Sequence, residues 1–137
     1  MRIAVVFYPT RNRDKLLAVS SKLAQGLEQQ GHQLTVVDAS RDVNTKLTMF
    51  EYICVGSQGT AFFKGSIPPE LRRFLAAAGI VAGKRSFAFV IKSGLSTLRS
   101  LSKLMHEMES EGMFLKYSDV IASEGDALET GKRLKVD

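Results

Sequence analysis

The sequence predicts an α/β protein built in three layers, a parallel β-sheet with helices on both faces. Three observations carry this prediction. Apolar runs of strand length alternate with segments of helical period along the chain. The strand runs are almost continuously apolar, as strands covered on both faces are. Glycine and proline fall between the runs, where turns and helix boundaries need them. Strand–helix alternation implies parallel pairing through right-handed crossovers.

Each element has its own signal. Arg2 to Tyr8 is rich in β-branched and aromatic residues and reads as a central strand, ended by Pro9 and Thr10. From Asp14 to Gln30 the period becomes helical, with Leu16, Leu17, Val19, Leu23, Ala24 and Leu27 near one face and Gly31 as the stop. Gln33 to Val37 is the second strand. Asp38 to Met49 is polar and predicts at most a short helix. Tyr52 to Val55 is the third strand, ending at Gly56, and a long loop runs from Ser57 to Ile67. Pro68, Pro69 and Glu70 open a helix with Leu71, Phe74 and Leu75 inward. Ser86 to Ile91 is the fourth strand. Leu95 to Glu111 is a helix whose expected apolar stripe is Leu98, Leu101, Leu104, Met105 and Met108, with Gly112 as the stop. Phe114 to Ala122 is the fifth strand, interrupted by Lys116 and Asp119, and the segment from Gly125 to Asp137 has room for one short helix.

Length and composition narrow the function. The chain has 137 residues, 45% of them hydrophobic, and a formal net charge of +5. One domain spanning residues 1–137 is expected, large enough to bury a core without staples. Cys54 is the single cysteine, which excludes a disulfide scaffold, and Cys54, His32 and His106 are too scattered for a structural zinc site. No apolar run is long enough to span a membrane. A free cysteine and no recognisable signal peptide predict the cytoplasm. Cys54 reads as a core residue, His32 as a solvated turn residue and His106 as a surface residue.

Open sheets of this kind bind ligands outside the carboxyl ends of their strands, where the winding direction switches. That directs attention to the loops after Tyr8, Gly56 and Lys92. Tyr52-Ile53-Cys54-Val55-Gly56-Ser57, then Gly65-Ser66-Ile67-Pro68-Pro69, then Leu71 and Phe74-Leu75 resemble the flavodoxin family, with Gln58 where proline is usual. The first loop, Tyr8-Pro9-Thr10-Arg11-Asn12-Arg13, matches that family's Ser-x-Thr-Gly-Asn-Thr pattern at Thr10 and Asn12; Arg11 stands in place of the glycine. The resemblance implies a flavodoxin-like sandwich with strand order 2-1-3-4-5 and FMN as cofactor.

On that basis Thr10, Arg11, Asn12 and Arg13 are expected to hold the FMN phosphate. Ser57, Gln58, Gly59, Thr60 and Phe62 would border the ring on one side, and Ser93, Gly94 and Leu95 on the other. Three readings of the first loop stay open: a phosphate site using the helix N-terminus and the Arg11 fork, a solvated basic loop, or a site for another anion. Phe62 and Phe63 are either a flavin wall or residues packed into the core or a dimer interface.

Other residue patterns point to no chemistry. No Gly-x-Ser-x-Gly elbow surrounds Ser57, and no Gly-x-Gly-x-x-Gly follows the first strand. Asp38 therefore reads as a solvated strand-end or capping aspartate. Charge is segregated: Lys64, Arg72, Arg73, Lys84, Arg85, Lys92, Arg99 and Lys103 face only Glu70 over that stretch, and the following third is acidic. The resemblance implies an acidic shuttle, and this chain departs from it. A nucleic-acid surface is disfavoured, because the basic residues are not interleaved with aromatics. The expected function is an FMN-binding protein for electron transfer or a small flavin-dependent redox role, with a redox protein or small molecule as partner. The alternative is a binding or interaction module of the same fold that has lost FMN. A third reading is an NAD(P)H-dependent quinone or flavin reductase.

Overall fold

The computed structural model describes residues 1–58, 67–92, 94 and 96–137. Its elements are β1 (Arg2–Tyr8), α1 (Arg13–Gln29), β2 (Gln33–Asp38), β3 (Tyr52–Ser57), α2 (Pro69–Ala76), β4 (Arg85–Ile91), α3 (Thr97–Ser110), β5 (Phe114–Ile121) and α4 (Glu124–Arg133). The strands form one parallel sheet in the order β2-β1-β3-β4-β5, as expected. β1 pairs with β2 on one side and β3 on the other, Val5 opposite Val36 and Cys54. The carboxyl ends of β1, β3 and β4 therefore meet at one edge of the sheet.

Side-chain alternation along the strands divides the core in two. Ile3, Val5, Phe7, Cys54, Phe87 and Phe89 pack beneath α1 and α4. Ala4, Val6, Ile53, Val55, Ala88 and Val90 pack beneath α2 and α3. β3, the middle strand, is buried at every position.

Helices α1 and α4 meet through glycine. A Cβ on Gly26 would lie 2.7 Å from the Gly131 Cα and would strike the Leu128 carbonyl; one on Gly131 would lie 2.9 Å from the Gly26 Cα. The backbones touch where side chains usually separate helices. The Gln30 carboxamide also donates to the carbonyls of Gly131 (2.6 Å) and Leu134 (2.9 Å).

Two expectations need correction. Asp38 closes β2, and residues 39–49 form turns and no helix. The Lys84 ammonium donates to the carbonyls of Leu47, Thr48 and Phe50 there, so carbonyls a helix would pair internally are satisfied from outside. In α3 the buried stripe is Thr97, Leu101, Leu104 and Met108, while Leu98 is 73% exposed and Met105 is half-buried. Leu98 sits about 100° around the helix from Thr97, so an apolar residue one position late in the first turn points outward.

Candidate functional site

Helix α1 begins at the sheet edge because Asn12 caps it: the Asn12 side-chain oxygen accepts from the Lys15 amide at 3.2 Å, and its carbonyl accepts from Leu16. The Asn12 side chain is thereby committed to the helix. The loop from Thr10 to Asn12 is held from across the edge by Gln58, which is 6% exposed at the end of β3. The Gln58 Oε1 accepts from the Thr10 amide at 2.9 Å and the Arg11 amide at 3.4 Å. Its Nε2 donates to the Asn12 carbonyl at 2.9 Å, and the Thr10 hydroxyl donates to the Gln58 carbonyl at 3.4 Å. One carboxamide thus pairs with both donors and acceptors of a loop 46 to 48 residues away.

Beside this clamp lies a cavity of about 290 Å³ lined by Arg11, Asn12, Lys15, Gln58, Ile91 and Lys92. Among the described residues, three cationic side chains contribute to its wall and no carboxylate does. The N-terminus of α1 adds the positive end of its dipole. Together these favour an anion. Lys92 also borders a neighbouring hollow of about 460 Å³ with Gly94, Thr97, Leu98, Val120 and Ala122. Gly94 has φ +82°, and its carbonyl accepts from the Thr97 hydroxyl at 2.8 Å, which turns the chain into α3.

Arg13 points elsewhere. Its Nε donates to Asp38 Oδ2 at 2.7 Å, while the Ser40 amide and hydroxyl donate to Oδ1 at 2.9 and 2.5 Å. Arg41 adds a longer contact of 3.8 Å. Asp38 is 6% exposed, so the solvated-aspartate reading is corrected: this is a buried, paired carboxylate. Burial pushes its carboxyl up, but the hydrogen bonds from Ser40 and Arg13 and the Arg13 charge outweigh it and hold the group below the usual carboxylate range.

The structure brings together Thr10, Arg11, Asn12 and Gln58, with Arg13 one residue on but turned to Asp38. Ser57 is fully buried, and its hydroxyl has no hydrogen-bond partner among the described residues. It continues the Ile53–Val55 side of β3, beneath α2 and α3. Gly59, Thr60, Phe62, Phe63, Ser93 and Leu95 lie outside the described residues. Cys54 is buried and its thiol pKa is pushed up by that burial; His106 is exposed; His32 is half-buried beside the amino terminus. Lys15 and Lys92 are cavity residues that sequence reasoning missed. Both were visible as cations flanking the predicted loops.

For a phosphate, the described residues fit in one way and not in another. The loop amides of Thr10 and Arg11 face Gln58, so they are not open to a ligand oxygen in this arrangement. The Arg11, Lys15 and Lys92 side chains fit a phosphate by charge. Among the described residues, no helix is long and apolar enough to cross a membrane.

No protein-family model and no curated protein sequence matches the chain. Solved structures do. A flavodoxin from the domain Archaea aligns with TM-score 0.71 at 18% identity, over 98% of this chain and 93% of that one. Oxidised flavodoxin 1 from Bacillus cereus aligns with TM-score 0.73 at 13% identity, over 98% of this chain and 100% of that one. A short-chain flavodoxin associated with a noncanonical PDU bacterial microcompartment aligns with TM-score 0.71 at 14% identity, over 96% of this chain and 95% of that one.

Proposed function

The flavodoxin-like fold being the premise, we propose that this chain is an FMN-binding protein for electron transfer or a small redox reaction, with the FMN phosphate held mainly by cationic side chains. The observation that carries this reading is the cavity walled by Arg11, Lys15 and Lys92, with no carboxylate among its described lining residues, at the carboxyl ends of β1 and β4. At about 290 Å³ it is just below the roughly 300–1,000 Å³ of small-molecule sites, which suits the phosphate end of the cofactor and not the whole of it. The neighbouring hollow with Gly94, Leu98 and Val120 supplies apolar surface on the other side of Lys92. When bound, FMN supplies the one- and two-electron chemistry. The chain's residues supply charge at the phosphate and, through Gly59, Thr60, Phe62, Ser93, Gly94 and Leu95, the expected borders of the ring; Ser57, fully buried beneath α2 and α3, is not among them. A net charge of +5 favours an acidic redox partner.

A second reading is favoured by Gln58, which already satisfies the loop from within: a binding module of the same fold that works without FMN. Titrating FMN into the purified protein decides between the two. The first reading expects a saturable shift of the flavin's visible spectrum, and weakening of about tenfold or more in R11A/K92A, since a hydrogen bond to a charged group is worth about 1.5–3 kcal/mol. No binding at any accessible FMN concentration leaves the module reading.

A further inference from the structure

We propose that Gln58 is a built-in competitor at this site: its carboxamide oxygen occupies the point where the Thr10 and Arg11 amides converge, and a phosphate-bearing ligand reaches those amides only when the side chain swings out. The inference rests on the reading above, that a phosphate binds at this edge, and adds what regulates it.

Three observations carry it. The first is geometric. The two amides that converge are 2.9 and 3.4 Å from one neutral oxygen, and that oxygen belongs to a side chain that is 6% exposed. The second is the anchoring of the same carboxamide at its other end, where Nε2 donates to the Asn12 carbonyl at 2.9 Å. A side chain held at both ends cannot drift from the loop without losing donor and acceptor partners together. The third is location. Gln58 is itself part of the wall of the cationic cavity, so the side chain that pairs with the loop amides shares that wall with Arg11, Lys15 and Lys92.

The chemistry sets the direction of the effect. A phosphate oxygen is a stronger acceptor than a carboxamide oxygen, because its hydrogen bonds are charge-assisted. The phosphate therefore prevails at the amides once it is there, but the closed form must open first. Apparent affinity falls by the fraction of molecules that are open. The clamp also keeps the loop's polar groups paired when no ligand is bound, which preserves the loop's shape. Removing the carboxamide lifts the competition and raises affinity.

The test uses the whole ¹⁵N-labelled chain, titrated separately with inorganic phosphate and with FMN, in the wild type, Q58A and Q58N. Asn is one methylene shorter and cannot span the loop, so Q58N decides if Q58A does not fold. The expected result is about tenfold or greater tightening for both probes in the variants, with the Thr10 and Arg11 amide resonances moving most. In the wild type those two resonances move little at low occupancy, while resonances around Lys15 and Lys92 move first. Equal affinity in all proteins overturns the competitor and leaves the phosphate site standing. Weaker binding in the variants overturns it as well, because the carboxamide would then be a ligand contact. Binding in none of the proteins overturns both the competitor and the FMN reading.

Discussion

The Asp38 carboxylate is kept ionised by its neighbours, and that gives it a defined signature in pH. Its folded pKa lies below its unfolded value, which is near 3.9. Its contribution to stability is therefore complete above that pH and is lost as pH falls through the folded value. In urea denaturation D38N should be less stable than the wild type at neutral pH by about 1.5–3 kcal/mol, the worth of hydrogen bonds to a charged group. The gap should close on acidification below about pH 4; a gap that is constant from neutral pH to about pH 3 would refute the pairing. Neither Asp38 nor Gln58 shows its role in the sequence. The partners are Arg13, 25 residues away, and Thr10 and Asn12, 46 to 48 residues away. Strand and helix periods report which face a residue takes, and they carry no information on which distant polar group it meets. The replacement of proline by Gln58 was the one visible sign.

At the scale of elements, the strands and helices were legible because both sheet faces are covered and the period changes sharply at each boundary. Leu98 misled because the apolar pattern alone does not fix the phase of a helix's first turn. The contact between α1 and α4 left a fainter mark, a glycine inside the C-terminal part of each helix. Replacing Gly26 with Ala gains about 1 kcal/mol of helix propensity. It also drives a Cβ into the backbone of α4, which cannot rotate away as a side chain would. Overpacking of this kind costs typically 1–3 kcal/mol and sometimes more. The expected net result for G26A, and likewise G131A, is destabilisation in urea unfolding; a stabilised variant would show that the helices separate easily.

At the scale of the molecule, the sheet is the barrier between solvent and its own centre. Cys54 lies in the middle strand, fully buried, with its thiol held protonated by that burial. Iodoacetamide labelling of Cys54 should therefore track global unfolding and rise with urea in step with loss of circular dichroism. Fast labelling under native conditions would show a local opening of the core. This protection follows from topology more than from any one contact, since β3 has neighbours on both edges and helices above and below.

The glycine contact between α1 and α4 also sets a schedule during synthesis. The Gln30 side chain bonds to Gly131, 101 residues further along the chain. At about 5–20 residues per second, roughly 5–20 s pass between making the end of α1 and making its cover. For that interval Leu23 and Leu27, fully buried in the finished fold, lack α4 against them. The nascent chain is most exposed to aggregation in this window, and chaperone binding to it should be concentrated on the first helix.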